Sequence, residues 1–346
     1  MPDQITIGQI GCGYWGPNVL RNFSAQSGCW VKYVAEVNPE RQNYVRANFP
    51  RSGVVSDVDA VLSDAEVDAV IVATPAASHY ALAKQALEAR KHVFVEKPLA
   101  TSTEHADELV KLAASTGKTL MVGHTFLYNA AVRRMKQYVD DGDLGDVLYI
   151  YSQRLNLGRV RNDVNALWNF APHDVSILVY LLDQSPSEVS ARGFAYLQPG
   201  VEDVVFMTLV FPNGASANVH ISWLDPHKIR KMTVVGSRKM AVYDDVSSDA
   251  RIVVYDRGVD RVPTADSPRD FKSFADFQLR LRSGDVTIPA IKFSEPLQLE
   301  CEHFIDCIHT SKRPLTDGRH GAMVVRVLEA AQESMGRGGA AVRIES

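Results

Sequence analysis

The chain has 346 residues, 46% hydrophobic and 23% charged, the balance of a soluble globular protein with room for one large or two ordinary domains. Its 37 lysines and arginines nearly cancel 41 aspartates and glutamates, and no basic run stands out, which argues against nucleic acid as the main partner. The longest apolar runs, such as VDAVIVATPAA at 67–77, fall well short of the ~20 residues of a membrane span. The four cysteines (Cys12, Cys29, Cys301, Cys307) lack zinc or disulfide-framework spacing, and no signal-type segment opens the sequence. The expectation is a cytoplasmic protein with reduced thiols, no metal site and no membrane association.

In chain order, ITIGQIG (5–11) reads as a strand, NVLRNFSAQ (18–26) as a helix and WVKYVAEV (30–37) as a second strand. PERQNYVRANF (39–49) is a helix opened by proline at its tolerated first position. VDAVIVAT (67–74), the helix SHYALAKQALEAR (78–90) and the strand HVFVEK (92–97) follow, then a helix from Thr101, with Thr101 and Glu104 spaced as a capping box, and the strand TLMVGH (119–124). Strands alternating with helices, each strand a near-continuous apolar run, predict a doubly wound parallel α/β sheet over residues 1–125.

After about residue 145 the pattern changes. One helix, roughly 169–182, precedes the strands EVSARGFAYL, VVFMTLVF, ASANVHISWL, RKMTVVGS, KMAVYDD and RIVVYD, with FPNG at 211–214 as a hairpin turn. This predicts an α+β second domain, 126–346, with a largely antiparallel, open-faced sheet packed by helices. The helices PLQLECEHFIDCIHT (296–310) and GRHGAMVVRVLEAAQES (318–334) close the chain, and RGGAAVRIES reads as a short strand returning to a sheet. The uncovered sheet face predicts a homodimer or homotetramer.

Gly11, Gly13 and Gly16 form GxGxxG between the first strand and first helix, the pattern in which glycines admit a tight turn, a pyrophosphate and a close helix. Tyr14 and Trp15 lie in the same loop. Glu36, ending the second strand, suits the ribose hydroxyls of NAD and repels the 2′-phosphate of NADP, although Asn38 and Arg41 lie close by.

Glu96-Lys97-Pro98 ends a strand on the edge where open α/β sheets bind ligands, with Lys97 suited to steadying a substrate oxygen and Lys97–Pro98 a candidate cis peptide. Asn169, His173, Ser176 and Tyr180 recur on one helical face. With Pro172 in the first turn, His173 lies near the helix start, where the dipole favours neutral imidazole.

GCGYWG, EKPLA, VGHTFLYN, LWNFAPHD and RPLTDGRHG together resemble the glucose–fructose oxidoreductase / inositol dehydrogenase (Gfo/Idh/MocA) family, essentially end to end, in its sugar and nucleotide-sugar branch. The resemblance implies catalytic Lys97 and His173. It places Thr74, Pro75 and His79 on a loop beside NAD, matches Glu96 to the family's EKP glutamate, and puts Arg154 and Asn156 at a substrate cleft. It further implies hydride transfer at a ring carbon, C3 by the branch, of a sugar or sugar nucleotide. Asn169 departs from the aspartate that many members carry. Two alternatives remain: an inositol or polyol dehydrogenase, separated by whether Arg154, Arg159, Arg161 and Lys228 form a diphosphate patch, and a non-catalytic dinucleotide-binding regulator.

Overall fold

The computed structural model describes residues 4–158, 160–263 and 277–345. The chain divides into two compact units. The first comprises the residues up to Asn129, Val175–Ile177 and Phe293–Glu333; the second comprises Ala130–Asp174, Leu178–Lys292 and the chain from Ser334 on.

The chain opens with β1 (Ile5–Ile10), α1 (Gly16–Ser24), β2 (Cys29–Ala35), α2 (Pro39–Asn48), β3 (Gly53–Val55), α3 (Asp59–Leu62), β4 (Ala69–Val72), α4 (His79–Glu88), β5 (His92–Glu96), α5 (Thr103–Thr116) and β6 (Leu120–Gly123). The strands form one six-stranded sheet in the order β3-β2-β1-β4-β5-β6. Every pair in it is parallel. The order reverses between β1 and β4, and ligands of such sheets bind outside the carboxyl ends at that point. All four residues of β4 are buried, as expected of a strand covered on both faces. The cap of α5 differs from the expected one: Ser102 accepts the His105 N–H, and the helix starts at Thr103, because the hydroxyl one residue later reaches the free amide.

The chain continues through α6 (Ala130–Asp140), β7 (Val147–Leu155), α7 (Ala166–Leu182), β8 (Glu188–Phe194), β9 (Val204–Val210), β10 (Ser216–Ser222), β11 (Ile229–Gly236), β12 (Met240–Asp244), β13 (Ile252–Pro263) and β14 (Phe277–Thr287). It closes with α8 (Pro296–Thr310), α9 (Gly318–Gly336) and β15 (Val342–Arg343). The second sheet has nine strands, ordered β14-β13-β12-β11-β7-β10-β9-β8-β15. It is antiparallel except where β10 runs parallel to β7. FPNG makes the expected hairpin between β9 and β10, with Gly214 at φ +88° and the Asn213 side-chain Oδ1 accepting the Ala215 N–H. The tail returns as β15 beside β8.

Helix α8 completes the core of the first unit. Phe304 meets Phe23 of α1 and Phe94 of β5 at ring-centroid distances of 6.1 and 5.7 Å, and those two meet at 5.7 Å, all edge to face. Each such pair adds roughly 0.5–1.5 kcal/mol beyond its burial. Among the described residues no helix is long and apolar enough to cross a membrane.

Candidate active site

In the first unit the glycine loop is held from beneath by Gln9. This side chain is fully buried in an otherwise apolar strand, and its amide donates to the carbonyls of Gly11 (2.9 Å) and Gly16 (3.1 Å). Gly11 has φ +89°, and a Cβ there would lie 2.7 Å from the Ala73 carbonyl oxygen, so the turn admits only glycine. Gly16 packs as closely: its Cβ would lie 2.9 Å from the Gly11 oxygen. Around Gly13 the situation is reversed, with no described atom within 4 Å of an added Cβ. That open approach, at a helix start with no side-chain cap, suits a pyrophosphate held by backbone N–H groups and the helix dipole. Tyr14 and Trp15 line the loop, 75% and 42% exposed.

Glu36 follows β2 and is nearly buried. Its carboxylate accepts the Cys12 N–H at 2.7 Å and the Asn38 N–H at 2.9 Å. A carboxylate has about four lone-pair sites, so two remain for ribose hydroxyls. Asn38 is itself spent on capping α2, where its carbonyl accepts the N–H groups of Glu40 and Arg41. These residues fit NAD.

The loop after β4 and the EKP turn after β5 are joined by His79. It is buried, with Nδ1 2.7 Å from the Pro98 carbonyl and Nε2 2.9 Å from that of Thr74. Burial lowers its pKa against the pull of those two carbonyls. His79 therefore shapes the loop rather than presenting a group to solvent. Thr74 accepts a hydrogen bond from the Ser78 hydroxyl, and Pro75 is exposed. The Lys97–Pro98 peptide is cis, as expected. Glu96 is buried, and burial raises its pKa to about 7 against the Lys97 charge, the Lys97 N–H and the Trp15 indole, which donates to it. Gly123 of β6 makes room: a Cβ there would stand 3.1 Å from the Glu96 carboxyl. Lys97 itself is half-buried.

In the second unit α7 begins earlier than the sequence suggests. Asn165 is its cap, accepting the Trp168 N–H at 3.1 Å, and Pro172 lies inside the helix. His173 is therefore well beyond the first turn, where the dipole's effect has faded. The expected placement at a helix start is overturned, because the Asn165 cap outcompetes the proline as a start signal. Asn169 is half-buried, and its Oδ1 accepts the Trp223 indole N–H at 3.3 Å. Arg154 is 4% exposed and bound to Asp174, Nε to Oδ2 at 2.5 Å, while Ser152 donates to Asp174 Oδ1 at 2.6 Å. The guanidinium is thus paired with a carboxylate of the same unit. Asn156 follows β7, its N–H bonded to Ser222 and its Oδ1 buried. Tyr180 packs beside the Lys136 ammonium, 5.9 Å from the ring centre, and burial raises its pKa. It lies about 16 Å along the helix from Asn169. Of the remaining cations considered for a diphosphate, Arg161 pairs with Asp163, Lys228 is exposed, and Arg159 lies outside the described residues.

Gln9, Asp174, Ser152, Trp223 and the Trp15–Glu96 link were not singled out from sequence. Gln9 had a visible signal, a lone amide in an apolar strand immediately before the glycine turn. The others depend on contacts distant in sequence.

Residues 5–124 match the oxidoreductase family with an NAD-binding Rossmann fold (GFO_IDH_MocA), and residues 132–242 match the GFO/IDH/MocA C-terminal domain. The chain is 29% identical to the UDP-N-acetylglucosamine 3-dehydrogenase of Acidithiobacillus ferrooxidans, over 94% of each protein. It is 31% identical to inositol 2-dehydrogenase 2 of Saccharopolyspora erythraea, over 63% of this chain and 66% of that one. A levoglucosan dehydrogenase solved with NADH and levoglucosan shares the fold, with a TM-score of 0.83 at 21% identity, covering 99% of this chain and 100% of the other. The chain belongs to the Gfo/Idh/MocA family and is an NAD-dependent oxidoreductase acting on CH–OH groups.

Proposed function

We propose that the protein transfers a hydride between NAD and a ring carbon, C3, of a sugar or nucleotide sugar, with Lys97 and His173 handling the substrate oxygen and its proton. The observation that carries this reading is the placement of Lys97 directly after buried Glu96 at the carboxyl end of β5, on the same sheet edge as the glycine loop. NAD, when bound, supplies the hydride acceptor, and its reduced form the donor. In oxidation His173 takes the hydroxyl proton, while Lys97 donates a hydrogen bond to the oxygen and stabilises its developing charge. Asn169 cannot relay a proton, and its bond to Trp223 supports an orienting role.

The backbone of Gly11, Gly13 and Gly16, with Tyr14 and Trp15, would hold the pyrophosphate, Glu36 the ribose, and Thr74, Pro75 and Glu96 the nicotinamide side, with His79 and Gln9 shaping the loops. Asn156 and Asn169 would meet substrate; Arg154 would act by fixing Asp174, and Tyr180 would contact only an extended substrate. C3 chemistry on a nucleotide sugar is supported by likeness to the UDP-N-acetylglucosamine 3-dehydrogenase. A free sugar or cyclic polyol is the second reading, favoured by the commitment of Arg154 and Arg161 to aspartates.

The described thiols are all free, which suits the cytoplasm. A second copy would cover the sheet face carrying Tyr149, Tyr151, Phe206 and Val210, all at least 38% exposed. The test is incubation with NAD and a panel of UDP- and dTDP-sugars, free hexoses and myo-inositol, following the absorbance of reduced cofactor. Lys97→Ala should lower turnover roughly 10²–10⁴-fold with NAD affinity nearly unchanged; a variant with normal turnover ends this reading.

A further inference from the structure

The ring of His79 faces two acceptors. Its Nδ1 lies 2.7 Å from the Pro98 carbonyl oxygen and its Nε2 2.9 Å from that of Thr74, both at hydrogen-bond distance. The side chain is 1% exposed, so neither contact can be exchanged for one to solvent. A carbonyl oxygen only accepts, and each contact is a hydrogen bond only if its nitrogen carries a proton. Neutral imidazole has one N–H; the imidazolium has two. Both contacts are therefore bonds in one protonation state, the cation. In the neutral ring one of them sets a nitrogen lone pair against an oxygen lone pair.

The two carbonyls belong to different segments. Thr74 lies in the loop after β4, Pro98 in the cis turn after β5, and His79 opens α4, whose buried Ala83, Ala86 and Leu87 fix where the ring sits. The Ser78 hydroxyl braces the loop within itself, reaching Thr74 Oγ1 and the Pro75 carbonyl, each at 2.8 Å. His79 carries the loop across to the turn of the next strand.

The turn after β5 also brings Lys97, whose charge opposes a second cation, while Glu96 of β5 acts on Lys97 and the Trp15 indole. Helix α5 offers Glu108 and His105, both engaged with Tyr80, the next residue of α4. The Tyr80 hydroxyl donates to Glu108, and its ring stacks on His105 at 3.8 Å. Lys84 of α4 pairs with the same Glu108. Burial, the larger influence, and Lys97 thus oppose the imidazolium, and the two carbonyls favour it; the proton is held on the acid side of the ordinary histidine value.

We propose that His79 is a proton-operated clamp on the cofactor edge: the imidazolium ties the loop after β4 to the cis turn after β5, and loss of one proton releases the loop. The proton that leaves is the one on Nε2, because the shorter contact, Nδ1 to Pro98, keeps its hydrogen. The Thr74 carbonyl then faces a bare nitrogen and moves off it. With Thr74 and Pro75 on the nicotinamide side, the loop grips the cofactor more tightly at acid pH, a consequence that rests on the placement of that loop proposed above.

Nitrogen NMR of the whole protein, with the ring signals assigned from the His79 backbone, reads the protonation state between about pH 4.5 and about pH 8. Both ring nitrogens should carry protons at the acid end and Nδ1 alone at the other. A ring whose protonation does not change over that range, or whose neutral form carries its proton on Nε2, overturns the proposal. NADH is the probe of grip, because its neutral ring is not repelled by an imidazolium as that of NAD is. Its Kd, read by fluorescence on fresh mixing, should be about fivefold lower at the acid end, roughly the worth of one hydrogen bond. Glu96 and His320 titrate in the same range, so His79→Gln supplies the control. Its amide has donors on one nitrogen only, ties one carbonyl at every pH, and should lose that change. Should the variant fail to fold, the wild-type spectra still decide the clamp. A ring that titrates as expected, beside the same pH dependence of Kd in wild type and His79→Gln, overturns the placement of the loop beside the nicotinamide and leaves the clamp standing.

Discussion

Replacing Asp174 with alanine removes the carboxylate that anchors α7 beside His173. Its two oxygens take Arg154 Nε at 2.5 Å, Arg154 Nη2 at 3.4 Å and the Ser152 hydroxyl at 2.6 Å, in a setting where both charged residues are at most 4% exposed. Removing one partner of a buried pair costs about 3–5 kcal/mol, because a guanidinium is left in a low-dielectric interior without its counter-charge. The orphaned Ser152 hydroxyl adds about 1 kcal/mol. At about 2–4 °C per kcal/mol for a unit of this size, the melting temperature should fall by about 10 °C or more. Circular dichroism melts of the single variant, and of the double variant Arg154→Met/Asp174→Leu, separate the causes. Apolar replacement of both partners removes the stranded charge and should recover most of the loss. A single variant melting within about 2 °C of the parent would show that the pair carries little net stability and that the anchoring role assigned to Asp174 is wrong.

Gly13→Ala and Gly11→Ala should fail in different ways. The first meets no described atom within 4 Å, so stability should stay within about 0.5 kcal/mol while calorimetric NAD affinity falls at least tenfold. The second is strained at φ +89° and should lose about 1–3 kcal/mol of stability. Glu36→Ala should weaken NAD roughly 10- to 100-fold and NADP much less, read from the two Kd values. His320 has its pKa lowered by burial from 6.5 to about 4. The unfolded chain therefore takes up that proton first, and the stabilisation, complete above pH 6.5, is lost on acidification through that window, by up to about 3 kcal/mol. Glu96, raised from 4.5 to about 7, acts oppositely: its contribution is full below 4.5 and is lost as pH rises through 7. Chemical denaturation of His320→Phe between pH 4 and 7 should show a flatter acid loss than the parent.

The parallel sheet, the glycine turn, the returning tail and the cis turn at Lys97 were all legible in the sequence, because each rests on local pattern: apolar runs, glycine spacing, a proline after a strand end. Errors arose where two local signals competed. Pro172 reads as a first-turn proline, but it lies inside a helix that Asn165 caps, tolerated where the other helix bonds hold. Thr101 and Ser102 competed likewise for the cap of α5. Short elements such as β3 and α3 carry too few residues for a period to emerge. The fate of Arg154 was illegible for another reason. An arginine at a strand end looks the same whether it meets a ligand or a carboxylate of a helix still to come, and only the fold brings Asp174 against it.

The same distinction explains why the cofactor edge of the first sheet is rich in buried polar side chains. A doubly covered parallel sheet leaves its strand ends joined by loops whose backbone groups have no ladder to complete. Here those groups are tied across strands by side chains. Gln9 joins β1 to the start of α1, Glu36 ties the end of β2 to the glycine loop, and His79 links the loop after β4 to the turn after β5. Glu96 reaches from β5 to Trp15 in that loop. A ligand entering this edge meets loops already fixed, so little ordering entropy is lost on binding. The arrangement also concentrates the consequences of mutation: an apolar replacement of the same size at one of these side chains preserves the core while loosening the loop it ties. Fold and cofactor affinity should accordingly separate at these positions, unlike at the Phe23–Phe94–Phe304 cluster, where they should fall together.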